Sequence, residues 1–191
     1  MPQTKQSPAF HVVSMGKFTL LYFATAGFYA NLWLFQQWFT QLSHHTASAP
    51  AGQPSRTPLL NGMEALLRVL FSILFIYNLL ARLRSREQSL SMDYPWHPQG
   101  LAIGFILLQL VGTATSFAMP QTTSVAWQLL LVLALLLTQY YLLYKVQLVA
   151  NRVEGDPFGR SNSQISPLNA GFIGLGSMIW LTIIKQIFSG E

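Results

Sequence analysis

The chain has no cysteine and little charge. Of its 191 residues, 9% are Asp, Glu, Lys or Arg, against roughly 25% in soluble domains. The missing thiols exclude disulfides, thiolate metal sites, thiol nucleophiles and palmitoyl anchors, and are neutral about compartment. The scarce charge excludes an ordinary soluble domain or a disordered chain. There is no P-loop, no Rossmann glycine pattern and no His-Glu-x-x-His, so the motif-bearing nucleotide, dinucleotide and zinc-protease classes drop out. No metal or cofactor is expected.

What the chain does have is apolar length. Hydrophobic residues make up 51% of it, gathered in long blocks, which is the pattern of an integral membrane protein. Nucleic acid is excluded as a partner despite the net charge of +5. The basic residues flank apolar blocks, as they do where they set membrane orientation and meet anionic headgroups. The run Leu129–Leu137 is continuously apolar, which does not suit the alternating strands of a membrane β-barrel.

The expected fold is all-α, one membrane domain over 1–191, a polytopic bundle of five spans at about 18–39, 59–83, 100–119, 125–149 and 168–188. No charge stands between Asp93 and Lys145. That stretch is too long for one crossing of roughly 20 residues. Pro120 and the polar Gln121–Ser124 that follow divide it into two spans. The last block carries Gly171, Gly174, Gly176 and Lys185 and is the weakest, so four spans plus a re-entrant or interfacial C-terminal segment is the alternative. A cleavable signal peptide ending near Ala49-Pro50-Ala51 is disfavoured, because the apolar region before it is too long and too aromatic.

With five spans, the N-terminus and the loops after the second and fourth spans share a side. Eight of the eleven basic residues fall there, among them Lys17, Arg82, Arg84, Arg86, Arg152 and Arg160. This predicts a cytoplasmic N-terminus and an outer C-terminus. Arg82, Arg84 and Arg86 read as a lipid-headgroup cluster.

Glu64 and Arg68 are four residues apart inside the second block, a spacing that pairs them on one helix face. An Arg deep in a bilayer costs about 2.5–3.5 kcal/mol on insertion scales, so the pair needs compensation. It is either a self-neutralised pair near an interface, the favoured reading, or part of a polar pocket with Asn78, Gln109 and Gln139. Small residues recur at helix-contact spacing in Ala26/Ala30, Gly112/Ser116 and Ala170/Gly174, where backbones can approach closely. The histidines offer no catalytic set. His44 and His45 are adjacent and splay, and Pro95 disturbs any helical alignment of Asp93 with His97.

The first block carries Thr25-x-Gly27-x-Tyr29-x-x-x-Trp33. In this it resembles small uncharacterised bacterial multi-pass inner-membrane proteins whose opening span has that pattern. The Arg-bearing second block and the segment Asn169…Gly176…Trp180 add to the likeness. The resemblance implies a bacterial inner-membrane location and brings no activity or catalytic residue. The function expected is a non-enzymatic accessory or scaffold subunit, packing through helix faces with itself (a homo-oligomer) or with a larger membrane protein complex. The second hypothesis is a small transporter or channel with a path near Glu64 and Arg68.

Overall fold

The computed structural model describes residues 8–50, 56–118 and 124–189, with side chains through Lys185. Lys5, Ala51 and the expected break at Pro120–Thr123 lie outside the described residues, as do Met119 and the side chains of 186–188. Among the described residues the regular elements are all helices, with no strand: α1 Met15–Ala24, α2 Tyr29–Ala47, α3 Pro58–Leu70, α4 Ser72–Ser89, α5 Pro98–Ala118, α6 Val125–Val153 and α7 Pro167–Ser189, with a 3-10 turn at Arg160–Asn162.

Local chemistry sets several helix starts. The Ser14 hydroxyl accepts from the Lys17 N–H and opens α1. Thr57 does the same for the Leu60 N–H ahead of Pro58, whose fixed φ suits a first helical position. Ser166 and Asn169 bond reciprocally, each side chain accepting from the other's N–H. That is a capping box at the start of α7.

Among the described residues three helices, α5, α6 and α7, are long and apolar enough to cross a membrane, or up to four if α3 and α4 count as one bent span. This is compatible with an integral membrane protein and differs from five straight spans. The last block, expected to be the weakest, forms the 23-residue α7. The first two blocks, expected as single helices, each form two.

In the first block the chain turns back on itself. The helix stops at Thr25, Ala26 has φ 49° and Gly27 has φ 84°. The Thr25 hydroxyl accepts from the Tyr29 N–H at 2.9 Å and starts the return helix. Side chains then pair as in an antiparallel hairpin. Phe18 meets Tyr29 and Trp33 at 5.9 and 6.2 Å between ring centroids, and Gln37 on α2 bonds the His11 backbone ahead of α1.

In the second block α3 and α4 meet at 114° around Phe71. Neither proline nor glycine stands at this bend. Tertiary contacts hold it: the Arg68 guanidinium lies over the Trp38 ring at 4.1 Å and over Phe75, beyond the bend, at 5.5 Å.

Both pairs begin and end at one end of the bundle. Glu154, after α6, accepts from the Ala9 and Phe10 N–H groups and faces Arg86 and His44. Asn61 near the start of α3 donates to Thr46 near the end of α2. Glu87 near the end of α4 accepts from the Trp96 indole and the Tyr94 N–H ahead of α5. The core sits at this end. Buried residues of α5 are Pro98, Ala102 and Phe105, in its first third, and those of α6 run from Leu143 to Val153, in its last half. Trp33, Trp38 and Phe105 are almost fully enclosed there, and such aromatics contribute most of the contact area. The hairpin tip of α1 and α2 reaches the middle of α6, where the Tyr22 hydroxyl donates to Gln139 Oε1 at 2.7 Å and to the Leu136 carbonyl.

Candidate functional site

A cleft of about 740 Å³ opens between the C-terminal part of α2, α3 and α4. Glu64 lies in it with one carboxylate oxygen on Arg68 and the other on Arg56. Spacing placed Glu64 and Arg68 on one helix face; Arg56 arrives from the loop. Arg82 lines the same cleft and donates to Gln41 Oε1 at 3.2 Å. His44 and His45 complete the basic lining.

The other polar residues singled out from sequence do not join this cleft. Asn78 is exposed on α4. Gln109 is half-buried on α5. Gln139 serves the hairpin tip through Tyr22. The five residues therefore outline no continuous path across the bundle. Of the expected headgroup cluster, Arg82 lines the cleft, Arg84 pairs with the buried Glu87 at 2.8 Å, and Arg86 faces Glu154.

The small-residue pairs separate similarly. Ala26 lies in the hairpin turn with left-handed backbone, so Ala26 and Ala30 do not share a helix face. Ala30 alone is buried, on α2. Nothing lies within 4 Å of a side chain added at Gly112 or Gly174, and Ser116 and Ala170 are exposed. Both of these pairs stand open. A glycine in close helix contact is Gly176, where an added Cβ would fall 2.1 Å from the Ala24 carbonyl oxygen. One turn on, the Trp180 indole donates to the Phe23 carbonyl at 2.8 Å. These bonds dock α7 on the tip of the first hairpin.

Sequence reasoning missed the best-connected polar cluster. Gln147 Oε1 accepts from the Trp33 indole at 2.5 Å and from Gln37 at 3.0 Å. Its amide donates to Asn151 at 2.6 Å and to the His11 carbonyl at 3.1 Å. Asn151 holds both main-chain groups of Val13. Asn162 donates to the Val12 carbonyl, while the Lys17 ammonium bonds Asn162 Oδ1 and the Gln164 carbonyl. The segment Pro8–Ser14 has no helix of its own, so its backbone groups need these partners. The available signal was the four-residue spacing of Gln147 and Asn151 at the end of an otherwise apolar helix.

Electrostatics at this clasp follow from burial. His11 is pushed down from 6.5 to about 4, first by desolvation and then by the Lys17 charge. Burial raises the Glu154 carboxyl against the bonds from Phe10 and Ala9 that lower it. Asp156 is held low by the Ser161 and Arg160 N–H groups. Among the described residues no three of His, Asp and Glu come together as metal ligands. The clasp is chemically a structural tie: its groups are saturated with one another and with backbone. The cleft, by contrast, has room and an excess of cations. Comparison with protein-family models, with curated proteins and with solved structures finds no match to this chain.

Proposed function

We propose that the protein is a non-enzymatic subunit of the bacterial inner membrane that packs through its spanning helices, with itself or with a larger membrane complex. The observation that carries this is how little of the three apolar helices the chain covers itself: 11% of the apolar window of each of α5, α6 and α7 is buried. Two small-residue faces, Gly112/Ser116 and Ala170/Gly174, lie open on those helices, and such faces admit a neighbouring backbone. The scatter of Asn78, Gln109 and Gln139 away from Glu64 and Arg68 favours packing over a transport path.

In this reading three helices cross, and the pairs α1–α2 and α3–α4 enter from one side and return to it. Lys17, Arg82, Arg84, Arg86, Arg152 and Arg160 then lie toward the same face, with Lys185 near the far end of α7. That asymmetry supports a cytoplasmic N-terminus and an outer C-terminus, the orientation that five spans also predict. The two arrangements differ at Ser48, which five spans put outside and the hairpins put inside.

Because the chain has no cysteine, single-cysteine variants label cleanly. Ser48→Cys, Ser89→Cys and Ser163→Cys are expected to react with an impermeant maleimide from one side of the membrane, and Ser124→Cys from the other. Ser48→Cys labelling with Ser124→Cys would refute the hairpins. For the role itself, Gly112→Cys and Gly174→Cys are expected to form specific crosslinks in native membranes, with mass spectrometry of the intact assembly giving its composition. A chain that is monomeric by mass and gives no crosslink at either position would refute the packing role.

A further inference from the structure

The cleft between α2, α3 and α4 is not neutral. It gathers three guanidinium groups, Arg56, Arg68 and Arg82, with His44 and His45, around one carboxylate, Glu64. One carboxylate balances one guanidinium, so the arginines and Glu64 together leave an excess of two positive charges. Each arginine has five N–H donors. The bonds found here are one from Arg56 and one from Arg68 to Glu64, and one from Arg82 to Gln41. The Arg68 guanidinium carbon lies 4.1 Å from the Trp38 ring centroid, a cation–π contact that restrains this planar donor group beside Glu64. A planar donor fork of this kind matches a phosphate better than a lysine point charge does.

The same helix that carries Glu64 and Arg68 turns an apolar face outward: Leu59, Leu66 and Leu70 are 73%, 52% and 68% exposed. A basic cleft of headgroup size on the polar side of an amphipathic helix matches an amphiphilic anion, with the phosphate in the cleft and the opposite, apolar side of α3 in the acyl layer. We propose that this cleft is a binding site for the phosphate headgroup of an anionic membrane phospholipid. The inference rests on reading this end of the bundle as lying at the headgroup layer.

The chain purified in an uncharged detergent is titrated with phosphatidylglycerol, with phosphatidylcholine and with inorganic phosphate, and native mass spectrometry counts what stays bound. Phosphatidylglycerol is expected to bind at least roughly tenfold more tightly than phosphatidylcholine, and the double variant Arg56→Gln/Arg82→Gln to lose about tenfold or more of that affinity. Arg160→Gln, in the 3-10 turn away from the cleft, is expected to bind as wild type does. Arg82→Gln alone removes only one exposed hydrogen bond, so it keeps the test informative if the double variant misfolds, and a drop of about threefold is expected for it. Equal affinity for the two lipids, or unchanged binding by both arginine variants, overturns the site. Saturable binding of inorganic phosphate without a preference between the lipids overturns the lipid as its source. A chain released from membranes by carbonate washing, before any lipid is added, fails the membrane reading instead.

Discussion

Replacing Asn151 by leucine takes one side chain out of the clasp and leaves two buried backbone groups behind. Val13 is fully enclosed. Its N–H reaches Asn151 Oδ1 at 3.2 Å and its carbonyl accepts from Asn151 Nδ2 at 2.9 Å. A buried donor or acceptor stripped of its partner costs about 1–3 kcal/mol, so the two Val13 groups cost roughly 2–6. Gln147 keeps its bond to the His11 carbonyl, so its amide adds little. The more apolar side chain returns about 1 kcal/mol of transfer energy. The expected loss is therefore about 3 kcal/mol. Equilibrium unfolding in mixed micelles reads it, and tryptophan fluorescence is a local probe because the Trp33 indole bonds Gln147. Asn78→Leu, the same exchange at an exposed site on α4, is expected to stay within about 0.5 kcal/mol of wild type. Similar losses for the two variants, or a loss below about 1 kcal/mol at Asn151, would show that the clasp does not hold the N-terminal segment as described.

Three further outcomes follow from the same contacts. His11 titrates near 4 when folded and near 6.5 when unfolded. The unfolded chain therefore binds more protons in between, and stability is fully present above pH 6.5 and falls as the pH drops toward 4, by up to roughly 3 kcal/mol. Thermal melts in detergent from pH 4 to 8 check this, and His11→Gln is expected to flatten the slope. Gly176→Val places a side chain against the Ala24 carbonyl and is expected to detach α7 from the hairpin tip. The readout is protease sensitivity of α7 together with a red shift in emission contributed by Trp180, whose indole bonds the Phe23 carbonyl. Gly27→Val combines a φ of 84° with a Cβ 2.7 Å from Leu136 and is expected to cost about 2 kcal/mol or more, measured by the same unfolding assay.

The helical class and the three apolar helices were legible from composition and run length, because hydrocarbon solvent demands long apolar segments with every backbone group bonded internally. The pairing of Glu64 with Arg68 was legible too, since neighbours four apart on a helix meet wherever the helix lies. The pattern Thr25-x-Gly27-x-Tyr29-x-x-x-Trp33 was visible, but its meaning was not. Read as a span it is aromatic decoration; folded, Thr25 and Gly27 make the turn, Tyr29 starts the return helix and Trp33 reaches Gln147. Hydropathy measures how apolar a block is and is blind to whether the chain crosses or turns back.

The bend at Phe71 left no local mark, because contacts of Arg68 with Trp38 and Phe75 hold it. The clasp was invisible for a related reason. Gln37, Gln147, Asn151 and Asn162 are scattered along the chain and acquire a common purpose when the non-helical segment ahead of α1 needs partners for its backbone. Composition and periodicity by themselves determined the helical class and which stretches are apolar enough to cross a membrane. The tertiary structure decided the direction each helix takes, and with it which charges meet, because those choices are settled by contacts between separate segments, such as Arg68 with Trp38 and Gln147 with Trp33.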